Sequence, residues 1–194
     1  MSYATRPAEE TRQLWATQPE MVRGLEKIAG FSFAWDLAAE AWSAKAPRWC
    51  GPGSPWCVDT LATPPTFARL AAGGARSIRQ GGASEEVGWL NPTWGNIGPW
   101  VDLVLRQGWP VALCVPSSTD SAWWHRLIRA RAHLTCIEGR PRFIPPPGIK
   151  ESSPAGGAVI WWTGIVRVWP ESLSLVDILE KGGWVEPPKK TRKK

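Results

Sequence analysis

Residues 89–96 read Trp-Leu-Asn-Pro-Thr-Trp-Gly-Asn, and the four at 91–94 are of types that could do chemistry. Asn91 offers a side-chain oxygen and Pro92 a backbone carbonyl on a chain whose φ is fixed by the ring. Trp94 offers an aromatic face. Two readings are open. The stretch is either an ordinary turn at the end of a short apolar strand, or a pair of acceptors that holds an exocyclic amine. Such an amine on adenine or cytosine is a poor nucleophile, because its lone pair is delocalised into the ring. Two acceptors on its hydrogens would pyramidalise the nitrogen and aim the lone pair outward. An aromatic neighbour would stack on a base flipped out of its duplex, and in-line placement of the reacting atoms would supply most of the remaining rate.

Other chemistry-bearing residues are sparse. Asp36 and Asp59 each end an extended piece, where a carboxylate accepts from amines or hydroxyls; the alternative is a turn or cap acid. Ser117, Ser118 and Thr119 follow an apolar run. Cys50, Cys57, Cys114 and Cys136 contain no CxxC, and with only His125 and His133 beside them zinc-ligand spacing is absent. Cys50 and Cys57 could close a small loop, but nothing in the N-terminal residues reads as a secretory signal, so all four are expected to be free intracellular thiols. His125 reads as structural or as a phosphate contact. No metal is expected.

The net charge of +6 is mostly local, since the final Lys-Lys-Thr-Arg-Lys-Lys holds five basic residues and subtracting them leaves +1. Such a tail is an arm for nucleic acid or another polyanion, or simply a solvated terminus. The chain has 15 tryptophans, more than a core of this size needs, so some are candidates for stacking on bases. No apolar run reaches the roughly 18 residues of a membrane span.

The elements that must position these residues alternate along the chain. Residues 1–12 read as a flexible lead. Thr17 is a candidate cap for a helix that opens at Pro19 and stops at Gly30. Phe31–Asp36 reads as a strand, followed by a Pro/Gly-rich connection with a short extended piece at Cys57 and Val58. Residues 62–88 read as a short helix plus a mobile loop. Ile97–Gly108 is amphipathic, Pro110–Pro116 is a buried strand, and Ser121–Ala132 is a basic amphipathic helix. Strands are expected at 133–139 and 140–145, separated by a turn at Glu138-Gly139, and at 156–164, and a last helix spans 172–184. Alternating strands and helices predict an α/β sheet with crossover helices.

Taken in order, several pieces are similar to one family. They are Trp-Ala-Thr-Gln-Pro at 15–19, Phe31–Trp49 with its Ala44-Lys45, Asp59-Thr-Leu, Asn91–Trp94, Pro116–Ile128, Glu138–Phe143 and Gly156–Trp162. Together they resemble the phage-type DNA N6-adenine methyltransferases over roughly residues 15–162. The resemblance implies a single-domain, three-layer, Rossmann-like methyltransferase fold across 13–186, S-adenosylmethionine as cofactor, DNA as partner and a bacterial cytoplasm as setting, where methylation would protect phage DNA from restriction. It implies that Trp15, Thr17 and Pro19 belong to the N-terminal cofactor segment. Asp36, Ala38 and Ala39 would replace a glycine-rich cofactor loop, Asp59 would meet the adenosyl group, and Asn91, Pro92, Thr93 and Trp94 would be the catalytic tetrapeptide.

For DNA the expectations are Ser118 and Thr119 at the mouth of the site, Trp123 packed or wedged into the opened duplex, and Arg126, with Arg129 and Arg131, on phosphates. Arg69, Arg76 and Arg79 in the 62–88 insert are further candidates. The departure from the family is Thr93, where a second proline is usual; Thr restores an N–H and loosens the turn. Three outcomes stay open: adenine methylation, N4-cytosine methylation, and a DNA-binding module of this fold with weak or no activity.

Overall fold

The apolar run Val111–Pro116 shows why this chain builds a sheet covered on both faces. Ala112 and Cys114 point into one layer of buried side chains, while Val111, Leu113 and Val115 point into another. A strand buried on both sides reads as continuously apolar rather than alternating. The computed structural model describes residues 15–65, 86–148, 157–164 and 170–185. The N-terminal lead, residues 66–85 of the 62–88 insert with Arg69, Arg76 and Arg79, and the basic tail lie outside the described residues.

The elements are β1 (Ala16–Thr17), α1 (Pro19–Ala29), β2 (Phe33–Asp36), β3 (Arg48–Trp49), β4 (Val87–Leu90), α2 (Gly98–Gln107), β5 (Val111–Pro116), α3 (Ala122–Arg129), β6 (His133–Glu138), β7 (Phe143–Ile144), β8 (Ala158–Thr163), β9 (Ser172–Ser174) and α4 (Leu175–Lys181). Seven strands form one sheet in the order β3-β2-β4-β5-β8-β6-β9, and β1 pairs with β7 in a separate two-stranded sheet. Every neighbouring pair in the large sheet is parallel except β8, which runs antiparallel to both β5 and β6. Met21, Leu25, Ile178 and Leu179 of α1 and α4 cover one face, against Phe33, Trp89 and Trp162. Val101, Val104, Trp124 and Leu127 of α2 and α3 cover the other, against Leu90, Leu113 and Trp161. The result is a mixed α/β architecture compatible with a Rossmann-like arrangement.

Two close approaches set this geometry. A side chain on Gly24 of α1 would come within 1.8 Å of the Ile178 carbonyl oxygen of α4, so glycine is what lets the two helices touch. At the opposite edge, the Arg48 guanidinium stacks 4.5 Å from the Trp35 ring centroid and pairs with Glu86, whose other oxygen accepts from Trp35 Nε1 at 3.0 Å.

Several local expectations change. Thr17 is not the helix cap: its backbone belongs to β1, in register with Phe143, and Gln18 occupies the cap position without a side-chain bond. Pro19 does open α1, and Gly30 closes it in the left-handed conformation at φ 74°. The piece at Cys57 is one isolated bridge to Cys50, and both thiols are free, as are Cys114 and Cys136. Residues 172–184 do not form one helix; Ser172–Ser174 pairs in parallel with Cys136–Glu138, and α4 starts after Ser174, whose hydroxyl accepts from Asp177 N. No helix among the described residues is long and apolar enough to cross a membrane.

Candidate functional site

Strands β2, β4 and β5 run in parallel, so their carboxyl ends share one edge of the sheet. From β2 the chain goes to β3 on one side, and β4 then adds on the other. Reversal of strand order opens a crevice above the carboxyl ends, the usual ligand position in open α/β sheets. Asp36 is the last residue of β2 and Asn91 the first after β4. Between them lies a cleft of about 320 Å³, at the lower end of small-molecule sites. Of the residues singled out in the sequence, Trp15, Thr17, Asp36, Ala38, Ala39, Asp59, Asn91 and Thr93 line it.

Asp36 is only 3% exposed. Its Oδ2 accepts from the Lys45 amide at 3.0 Å and its Oδ1 from the Ala38 amide at 3.4 Å. Burial lifts its carboxyl from the ordinary 3.8 to about 6, against the opposing pull of those two amides and of the Lys45 charge. The 37–45 loop is therefore wound around a carboxylate that water barely reaches. Ala39 N donates to Cys50 O at 2.9 Å, and a side chain on Gly51 would lie 1.7 Å from Ala39 O, so the loop is pressed onto the chain after β3. The Lys45 ammonium donates to the Ser43 carbonyl and also lines the cleft; burial holds its pKa below the usual lysine range. Asp59 is exposed, and its Oδ1 accepts from Leu61 N at 2.8 Å and Ala62 N at 3.1 Å, which is a turn role.

Asn91 is engaged at both ends. Its Nδ2 donates to the Trp15 carbonyl at 3.1 Å, and its Oδ1 accepts from Trp94 Nε1 at 3.2 Å. Those partners fix the amide orientation chemically, since a carbonyl needs a donor and an indole N–H needs an acceptor. Trp94 is half-buried and stands edge-on to Phe143, with ring centroids 5.0 Å apart at 81°. It is not among the cleft-lining residues, and neither is the buried Pro92. The aromatic walls are instead Trp15, Trp42, Trp89 and Trp100. Trp100 lies in the first turn of α2, six residues beyond Trp94, where sequence reasoning saw only an amphipathic helix. Lys45 carried a weak signal, as part of the Ala44-Lys45 piece, but no role.

Two residues that line the cleft each carry a buried donor with no partner among the described residues: Trp15 Nε1 and Thr17 Oγ1. These residues are 8% and 2% exposed. A buried polar group left unpaired is costly, and both of these belong to residues that line the cleft.

The remaining residues lie elsewhere. Pro19 starts α1 and does not line the cleft. Ser118 and Thr119 follow β5 on the same sheet edge, and the Ser118 carbonyl accepts from Ser121 Oγ at 2.7 Å. Trp123 is half-buried against Trp124, at 5.8 Å. Arg126 is drawn toward α2, with Nε 3.1 Å from Asp102 and Nη2 3.5 Å from the Gly98 carbonyl. Among the described residues no three His, Cys, Asp or Glu side chains converge on a possible metal position.

Fold and cleft together define an α/β protein with a ligand-sized crevice at a strand-order reversal. Comparisons with protein-family models, with curated proteins and with solved structures found no match.

Proposed function

We propose that this chain is an S-adenosylmethionine-dependent methyltransferase that modifies the N6 amine of adenine in DNA. One observation carries the reading: residues 15–17, 36–39, Asp59, Asn91 and Thr93, far apart in sequence, line the same cleft at the strand-order reversal. The family resemblance depends on these stretches.

The cleft suits the cofactor chemically. S-adenosylmethionine, when bound, supplies an electrophilic methyl group on a sulfonium. Tryptophan faces attract an organic cation, and Asp36 and Asp59 add acceptors for amines and hydroxyls. Trp15 Nε1 and Thr17 Oγ1 are the unpaired donors, and a carboxylate or ring nitrogen would satisfy them. The chain's part is then to bind, orient and exclude water, with Asp36 holding its side of the cleft by two backbone amides.

At the target amine, Asn91 Oδ1 has accepted from Trp94 and keeps a second lone pair for one amine hydrogen. The Pro92 carbonyl is the other acceptor. In this reading Trp94 orients Asn91 rather than stacking on the base, and a cleft-lining tryptophan such as Trp100 takes the stacking role. As the amine gains the methyl group in place of the sulfonium bond it would shed one proton, which would leave along the Asn91 and Pro92 acceptors to solvent.

The engagement of Asn91 at both ends favours a second reading as well: a DNA-binding module in which Thr93 and a locked Asn91 mark lost activity. Incubation with labelled S-adenosylmethionine and unmethylated DNA, followed by digestion to nucleosides, separates the two. N6-methyladenine that disappears in Asn91→Ala supports the enzyme. N4-methylcytosine keeps the mechanism and changes the base. Cofactor binding without any methylated nucleoside gives the lead to the binding module.

A further inference from the structure

Residues 140–144 alternate without a break. Arg140, Arg142 and Ile144 are exposed, while Pro141 and Phe143 are buried. Pro141 confines Arg140 to extended backbone, and a period of two is that of an extended chain lying on a surface. Both guanidinium groups therefore leave the same face. Residues two apart in such a chain are about 6.6 Å apart, comparable with the separation of adjacent phosphates along one nucleic-acid strand. Among the described residues neither arginine belongs to an ion pair, whereas Arg23, Arg48 and Arg126 each do.

The position of this strap is fixed at both ends. It leaves β6, which runs parallel to β2, β4 and β5, so it starts on the sheet edge that carries Asp36 and Asn91. It ends in β7, where Phe143 is in register with the cleft-lining Thr17 and stands on Trp94, the donor to Asn91. Charge at Arg140 and Arg142 is thus attached to the cleft by two buried side chains and a backbone ladder, and not by a free loop.

We propose that Arg140 and Arg142 form a phosphate-gripping strap that seats a DNA strand beside the cleft, an inference that rests on the DNA reading above. A planar guanidinium matches phosphate oxygens two at a time, and contacts of this kind set register without reading sequence. The strap supplies backbone affinity that Arg126 of α3, held near Asp102, shares with that carboxylate.

The test is DNA binding by the full chain, followed by fluorescence anisotropy across about 50–200 mM salt, on labelled duplex and single-stranded DNA. Arg140→Ala/Arg142→Ala is expected to weaken binding about tenfold or more at low salt. It should also reduce the slope of log affinity against log salt by roughly 1.5–2 in magnitude, the loss of two phosphate contacts. Arg140→Lys/Arg142→Lys should restore the slope. Arg106→Ala, on the far edge of the sheet, should change neither quantity. Binding of S-adenosylhomocysteine and the melting temperature should match the unaltered chain, and Arg140→Gln/Arg142→Gln replaces the alanine pair if that variant melts early. If the unaltered chain binds DNA and the charge-removing pair keeps the same affinity and slope, the strap is overturned and the DNA reading stands. If strap-dependent DNA binding is found without methylation, the strap stands and the enzyme reading falls. If the unaltered chain binds no DNA at any salt, both fall.

Discussion

The indole Nε1 of Trp94 donates to Oδ1 of Asn91 across 3.2 Å, while the same ring stands edge-on to Phe143. Sequence alone reads Trp94 as a base-stacking platform; in the function proposed above it instead positions the acceptor beside it. Trp94→Phe keeps the ring contact and removes the donor. The expected outcome is a kcat lowered by about tenfold, the order of one hydrogen bond, with KM for DNA and affinity for S-adenosylhomocysteine little changed. Stacking on the base by Trp94 would instead raise KM.

Asp36 makes a signed prediction about pH. Its folded pKa of about 6 lies above the ordinary 3.8. The unfolded chain therefore releases this proton first, and stability falls as pH rises between those values. Fully ionised, the group costs on the order of 3 kcal/mol relative to its protonated form. Asp36→Asn should flatten the pH dependence of unfolding between about pH 4 and pH 6, measured by denaturant titration. Ligand donors favour the carboxylate, so affinity for S-adenosylhomocysteine should rise through about pH 6 in the unaltered chain and lose that rise in the variant.

Thr17 separates stability from binding. Its hydroxyl is buried and unpartnered among the described residues. Thr17→Val removes the orphan at nearly constant volume, so the melting temperature of the free protein should hold or rise. Affinity for S-adenosylhomocysteine should fall about tenfold, the order of one hydrogen bond. Equal affinities in a calorimetric titration would remove Thr17 from the ligand site.

Gly24 tests the frame behind the cleft. A methyl group there would meet the Ile178 carbonyl at 1.8 Å, backbone that cannot yield cheaply. Gly24→Ala should destabilise by about 1–3 kcal/mol despite alanine's better helix propensity. In a chain of this length that is a fall of roughly 2–4 °C in Tm for each kcal/mol, readable in a thermal melt.

The larger elements were legible because burial on both faces leaves a plain mark in the sequence. Val111–Pro116 and Ala158–Thr163 could be nothing but core strands, and Gly30 and Gly108 stop their helices as expected. Very short strands were not legible. Ala16–Thr17, Arg48–Trp49 and Ser172–Ser174 have too few residues for a period, and each is strand only because a partner distant in sequence pairs with it. The candidate site divides in the same way. Asp36 was found because it ends an extended piece and Asn91 because of the residue types at 91–94, whereas Trp100 and Lys45 line the cleft through the packing of neighbouring elements. The orphan donors could not be read at all, since an unpaired hydrogen bond is a property of the folded surroundings.

The contact between α1 and α4 bears on the order of assembly during synthesis. Arg23 Nε donates to the Gly182 carbonyl at 3.0 Å across 159 positions of sequence, and Met21 and Leu25 share a core with Ile178 and Leu179. Until the ribosome has released those residues, the apolar face of α1 has only the sheet to pack on and lacks its contacts with α4. Strand β1 adjoins α1, and with it come Trp15 and Thr17 of the cleft. Contacts this far apart close slowly, so α1 gains its last partners late, and a nascent chain halted before α4 would leave Met21 and Leu25 without Ile178 and Leu179.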